Sequence, residues 1–387
     1  MILNNVQLVC GDKPLSIRVS DGKITQVSDV PLSGKSATQL IFTNAIIFPG
    51  LINSHDHLDF NLFPQLGNKT YNSYTEWGEY IHENYPAEIA ACLKIPVALR
   101  EQWGIYKNLL CGVTTVVNHG NRKGLANQLI TVFEKKQDLH SVRLEKDWKK
   151  RLNNPLKINL PAVIHIGEGT NANAHDEIDE LIRWNILRRK LIGVHGVAMS
   201  PAQARAFKAL IWCPQSNYFL LNKTAPVSHL KKYTPILFGT DSTLTGHWDI
   251  WEHIRTARKT GLLTDDELYQ SLSTTPAAIW KLNSGAIEEG RDADLVVARA
   301  TKPNSMDSFY NTTPEDLLLV MHQGNIRLFD ETLYHQLSDI PRATYQKVYS
   351  SGSIKYVQGD LHLLLNEIRQ YKADVHFPVY LPSEPAA

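Results

Sequence analysis

Apolar and polar positions change period along this chain, and the changes divide it into elements. Up to about residue 45 the apolar runs are short. Residues 6–9, 15–19 and 24–27 are rich in β-branched side chains, and Gly11-Asp12 and Asp21-Gly22 separate them. Such dipeptides suit hairpin turns, so this part predicts a small β element, too small to stand alone. From residue 46 the pattern lengthens. Apolar stretches at 46–52, 112–117, 160–166, 191–194, 210–213 and 235–238 each run into a polar or glycine-containing end. Helical periodicity fills most gaps between them, at 87–110 with an interruption at Pro96, and at 125–136, 176–189, 201–210 and 248–259. Strands alternating with helices predict parallel βαβ units.

Two helical patterns follow, at 265–272 and 276–282, before turn-and-strand character returns at 285–297. Short strands at 317–321 and 326–329 flank the turn His322-Gln323-Gly324-Asn325. These late strands are expected to pair with the early ones. The expected division is a composite β domain from residues 1–48 and 284–330, a barrel from 49–283, and a peripheral C-terminal helix and tail from 331–387. Residues 60–85 fit no regular pattern and are rich in rings, with Phe60, Phe63, Tyr71, Tyr74, Trp77 and Tyr80.

Composition narrows the function classes. The chain has 387 residues, 43% of them hydrophobic and 20% charged, with a formal net charge of +1. That is ordinary globular composition, with no basic field for nucleic acid and no acidic tail. Cys10, Cys92, Cys111 and Cys213 show no paired spacing, which suits a reducing compartment rather than a disulfide framework. The first residues lack the features of a secretion signal, and no apolar run reaches the roughly 20 residues of a membrane helix. The expectation is a cytoplasmic protein acting on a small molecule, without nucleic-acid or membrane partners, and with a homo-oligomer left open.

The polar ends of the strands carry the candidate chemistry. His55 and His57 stand one residue apart, and in an extended strand such residues face the same way. Two imidazoles aimed at one point make half of a metal site. Three more apolar segments end alike, in His165 and Glu168, in His195, and in Asp241. Chemistry-bearing residues at the C-terminal ends of several strands are what a (β/α)8 barrel provides.

The strings PGLINSHDH, HIGE, VHG, CPQSN and FGTDS, in that order, resemble the amidohydrolase superfamily. The similarity is to its branch of cytosine, guanine and S-adenosylhomocysteine/methylthioadenosine deaminases and triazine hydrolases. The string GAIEEGRDADLVV resembles the strand closing that family's composite β domain. The match spans roughly residues 1–330. It implies an α/β fold: a distorted TIM-like (β/α)8 barrel with a small composite β-sandwich domain built from both ends of the chain. It also implies one divalent metal, zinc first and iron second. By position His55, His57, His165 and Asp241 match the ligands. Asp241 and His195 match the groups that handle the attacking hydroxide, and Glu168 matches the proton shuttle of the deaminases. Lys146 is the candidate for a carboxylated lysine bridging two metals, and its polar surroundings favour a solvated side chain instead.

The chemistry agrees with that assignment. Three neutral imidazoles and a carboxylate satisfy a zinc-like cation and leave room for water, whose pKa falls from 15.7 towards about 7. Attack on an sp² carbon also needs a proton acceptor and a proton donor. The implied activity is an aminohydrolase that deaminates a nucleobase-like or related N-heterocycle. The alternatives are a hydrolase of another C–N bond or of a C–Cl bond on a similar ring, and a non-catalytic scaffold. His119, Trp77, Phe60 and Asn217 are candidates for touching substrate.

Overall fold

The computed structural model describes residues 1–34, 37–120, 129–350 and 352–381. The chain opens with β1 (Ile2–Leu8), β2 (Pro14–Ser20), β3 (Lys23–Ser28), β4 (Gln39–Ile41) and β5 (Ala45–Pro49). Eight further strands follow: β6 (Leu51–Asp56), β7 (Val113–Asn118), β8 (Thr131–Val132), β9 (Gln137–Ser141), β10 (Ala162–Ile166), β11 (Leu191–His195), β12 (Phe207–Trp212) and β13 (Ile236–Phe238). They form two parallel sheets, β6-β7-β8 and β13-β12-β11-β10-β9. Every residue of β6, β7, β10 and β11 is buried, as expected of strands covered on both faces.

The result is a distorted (β/α)8 barrel. Ile52, Val117, Val163, Ile192, Ile211 and Leu237 pack in its interior, together with Trp280. Continuous pairing around all eight strands is not formed among the described residues; β6 meets β13 only beyond the end of β13, where the amides of Thr240 and Asp241 both donate to the His55 carbonyl at 3.0 Å.

The chain then supplies β14 (Leu295–Arg299), β15 (Leu317–His322), β16 (Asn325–Asp330), β17 (Tyr345–Ser350) and β18 (Ser353–Gln358). These join the first five strands in one ten-stranded sheet, with β14 antiparallel to β5 across the middle. Strands from both halves share one apolar core, in which Ile17, Ile24 and Ile47 pack with Val297, Leu319 and Phe329. The stretch after residue 330, expected as a peripheral tail, thus contributes two strands. Its helix Leu361–Tyr371 buries Leu361, Leu364, Leu365 and Ile368, and Phe377 meets Trp103 edge-on at 4.8 Å.

Residues 60–95 are more regular than their sequence pattern. Helices α1 (Tyr74–Asn84) and α2 (Pro86–Leu93) lie between β6 and α3 (Val97–Leu110). Ser73 caps α1 by accepting from the Glu76 amide at 3.3 Å, and Pro86 opens α2. Of the helix expected over 125–136, residues 125–128 lie outside the described residues. Thr131 and Val132 instead pair with Thr115 and Val116, where β-branched side chains suit a sheet better. The helix expected over 201–210 stops at Ala204, because Phe207 to Ile211 pair with β11.

Candidate metal-centred active site

The strand ends bring four ligand atoms together at one end of the barrel. His165 Nε2 lies 3.2 Å from His55 Nε2 and 3.3 Å from His57 Nε2. Asp241 Oδ1 lies 3.5 Å from His55 Nε2 and 3.4 Å from His57 Nε2. Atoms at such separations lie within reach of one cation that takes nitrogen and oxygen ligands at about 2.0–2.2 Å. The donor set therefore fits one divalent cation. Lys146, the candidate bridging lysine, is exposed.

The supporting groups orient these atoms. His165 Nδ1 donates to the His140 carbonyl at 2.8 Å, which leaves the Nε2 lone pair facing the cluster. Ser216 Oγ and Thr245 Oγ1 both donate to Asp241 Oδ2 at 2.8 Å, which leaves Oδ1 for the cluster. Asp241 itself sits in the left-handed region, at φ 63°, as does His195 at φ 71°. Each such non-glycine residue costs about 1–2 kcal/mol, so strain is concentrated at the strand ends. Gly239 allows the Asp241 turn to press on β6, since a Cβ there would lie 2.8 Å from His55 Cβ and 2.9 Å from Ile211 Cγ2.

Burial sets the protonation states. Desolvation, reinforced by His55, pushes His57 down to about 3. Desolvation with His55 and His57 holds His165 well below the usual imidazole range. Burial opposes ionisation of Asp241, but the hydrogen bond to His55 and the neighbouring imidazoles outweigh it, and its carboxyl lies well below the usual range. Neutral imidazoles and an ionised carboxylate are the forms that bind metal.

Glu168 and His195 face the same space. His195 Nε2 lies 3.5 Å from Glu168 Oε2. Burial, then Asp241 and Glu177, push the Glu168 carboxyl well above its usual range, which favours its protonated form. His195 is pushed down to about 3, first by burial. A chain of donors fixes its tautomer. Trp212 Nε1 donates to Thr224 Oγ1 at 2.6 Å, and Thr224 Oγ1 donates to Asn217 Oδ1 at 3.3 Å. The Asn217 amide then presents Nδ2 to His195 Nδ1 at 3.0 Å. The neutral ring accordingly carries its proton on Nε2, towards Glu168.

The remaining candidates divide. Phe60 stacks on His57, with ring centroids 5.4 Å apart, and Phe60 and Trp77 both line the cavity above the cluster. His119 packs on His165 with centroids 4.3 Å apart, and Asn217 lies behind His195; neither lines that cavity among the described residues. Sequence reasoning missed His140 and Thr245, whose parts depend on one carbonyl and one hydroxyl and leave no pattern. It also missed Asp56, between the two histidines. Its carboxylate accepts from Lys107 Nζ at 3.2 Å, Asn108 Nδ2 at 2.8 Å and Asn61 Nδ2 at 2.7 Å.

Comparison with known proteins gives the family and the fold that this chain resembles. Residues 153–327 match the model of the Amidohydrolase family. A 5-methylthioadenosine/S-adenosylhomocysteine deaminase from Pyrococcus furiosus is 22% identical, over 84% of this chain and 91% of its own. Among solved structures, an adenosine deaminase from Xanthomonas campestris with bound zinc aligns with a TM-score of 0.67 at 16% identity, covering 97% of this chain and 98% of its own. An atrazine chlorohydrolase from Arthrobacter aurescens complexed with zinc aligns with a TM-score of 0.65 at 14% identity, covering 96% and 99%. At such identities the structural likeness is one of fold.

Proposed function

From a chain that carries an amidohydrolase family domain, we propose a metal-dependent aminohydrolase that deaminates an amino-substituted N-heterocycle. The observation that carries this reading is the convergence of His55, His57, His165 and Asp241 beside Glu168. Those four side chains would hold one divalent cation, zinc first. Bound there, it would supply Lewis acidity and bring the pKa of water towards about 7.

The chain's own groups do the rest. Asp241, kept ionised and held by Ser216 and Thr245, is the base for the proton of the attacking water. Glu168, whose carboxyl burial pushes up, delivers a proton to the ring nitrogen next to the reacting carbon. His195, with Nε2–H fixed by Asn217, donates to the oxygen that adds to that carbon. Cys213 and the barrel interior exclude bulk water from beneath the site.

The test is a screen of zinc-loaded protein against amino-substituted purines, pyrimidines, pterins and triazines for ammonia, with chloro analogues read for chloride. Ammonia release is expected, and Glu168→Gln should retain metal while kcat falls on the order of 10²–10⁴-fold. No ammonia from metal-loaded protein, or near wild-type kcat in Glu168→Gln, would refute the reading. Chloride without ammonia would move it to the C–Cl alternative.

A further inference from the structure

The cavity above the cluster holds about 330 Å³, enough for a small heterocycle with a short substituent. One end is polar, formed by His57, His165, Glu168, His195 and Asp241. The walls are apolar, with Phe60, Phe63, Trp77, Ile81, Leu220 and Leu244 facing it. Most of these belong to one apolar cluster that ties the segment after β6 to α1 and α2. Among the described residues no lysine or arginine lines the cavity, and Glu168 and Asp241 are its only carboxylates.

Two polar atoms on the walls are engaged elsewhere, while Tyr74 and His82 remain polar features of the lining. Trp77 Nε1 donates to the Leu66 carbonyl at 2.7 Å, and Thr245 Oγ1 donates to Asp241 at 2.8 Å. At the mouth two aliphatic side chains, Leu93 and Leu144, line the cavity and remain 52% and 56% exposed. Away from the cluster, a phosphate or carboxylate in this space would meet no lysine or arginine among the described residues. An ammonium would meet no carboxylate beyond the two already committed to the cluster. Either charge would be desolvated unpaired, which is expensive.

Resting on the aminohydrolase reading, we propose that the substrate is an aminated heterocycle bearing an uncharged apolar substituent. The apolar walls hold that substituent, and substituents ending in phosphate, carboxylate or ammonium are rejected.

The probes are 9-methyl-, 9-propyl- and 9-pentyladenine, with 9-(3-carboxypropyl)adenine and 9-(3-aminopropyl)adenine as charged counterparts. Binding to zinc-loaded protein is measured by calorimetry, and ammonia is recorded in parallel. Each added methylene should tighten binding roughly fourfold until the cavity is full. Both charged members should bind at least tenfold more weakly than the propyl compound. Leu144→Lys, at an exposed rim position, should narrow the gap for the carboxylate severalfold. A series flat in chain length, charged members that bind as well as the propyl compound, an unchanged gap in Leu144→Lys, or no binding by any member would each overturn the proposal. Length-dependent binding that disfavours charge, without ammonia, would sink the aminohydrolase reading and leave this inference standing. Equal kcat/KM for ammonia release from carboxyl and alkyl members would do the reverse.

Discussion

The Glu168 carboxyl is pushed up in part by Glu177, a second buried glutamate that lies behind the strand end at His165. Glu177 Oε1 accepts from the Gly167 amide at 2.8 Å. Its own carboxyl is pushed up to about 7, chiefly by burial, against the hydrogen bond from Gly167 and the charge of Arg143. In the unfolded chain the same group titrates near the ordinary glutamate value. Between those values the folded protein binds a proton that the unfolded chain has released. The stabilisation is therefore full below about pH 4.5 and is lost as pH rises through about 7. Glu177→Gln copies the protonated form and keeps an acceptor for Gly167. Its stability relative to wild type should be near zero at pH 4.5 and grow to a gain on the order of 3 kcal/mol by pH 8. Thermal denaturation of both proteins across that range checks this, and a difference independent of pH would contradict the assigned shift. None of this is visible in the sequence, where Glu177 is one acidic residue among several in an amphipathic helix.

At the scale of elements, β6 and α3 are joined by a buried ion pair. Lys107 and Asp56 are 2% and 0% exposed, and Asn61 Oδ1 accepts from the same ammonium at 3.0 Å. Removing one partner of such a pair typically costs about 3–5 kcal/mol, because the other charge stays buried and unpaired. Lys107→Met should lose that much in chemical denaturation, and adding Asp56→Asn should recover part of it. A loss below about 1 kcal/mol in the single variant would show that the pair does not hold β6 against α3. The strand ends were legible because their chemistry is local. His55 and His57 sit one residue apart, and His165, His195 and Asp241 each close an apolar run. The CPQSN string was less legible. It was expected as a strand running into a loop, yet Pro214 opens the helix Pro214–Leu221, a position that proline favours. Helices α1 and α2 are hidden by their rings, since Tyr74 and Trp77 line the cavity and Trp77 and Tyr80 pack with Tyr71 rather than forming a helical stripe.

At the scale of the molecule, the candidate ligands come from both parallel sheets. His55 and His57 belong to β6 and its extension in one sheet, His165 to β10 in the other, and Asp241 follows β13. Between β6 and the Asp241 turn, backbone contact is limited. The Thr240 and Asp241 amides donate to His55, and the His57 amide donates to the Asp241 carbonyl at 3.3 Å. The ten-stranded sheet, by contrast, is hydrogen-bonded along its length and has its own core. That sheet was only partly legible, because β17 and β18 are six residues each and lie beyond the stretch resembling a known family. The division of labour makes metal removal a test of architecture as well as of activity. A cation bound by all four side chains ties the two parallel sheets together where their pairing is thinnest. At free zinc about a thousandfold above its Kd, loading should stabilise the protein by about 4 kcal/mol. Chelation should therefore lower the Tm and speed amide exchange at residues 55–57, 165–166 and 240–241, while β14 to β16 exchange as before. Equal Tm and equal exchange with and without chelator would mean that these four side chains do not hold a cation in common.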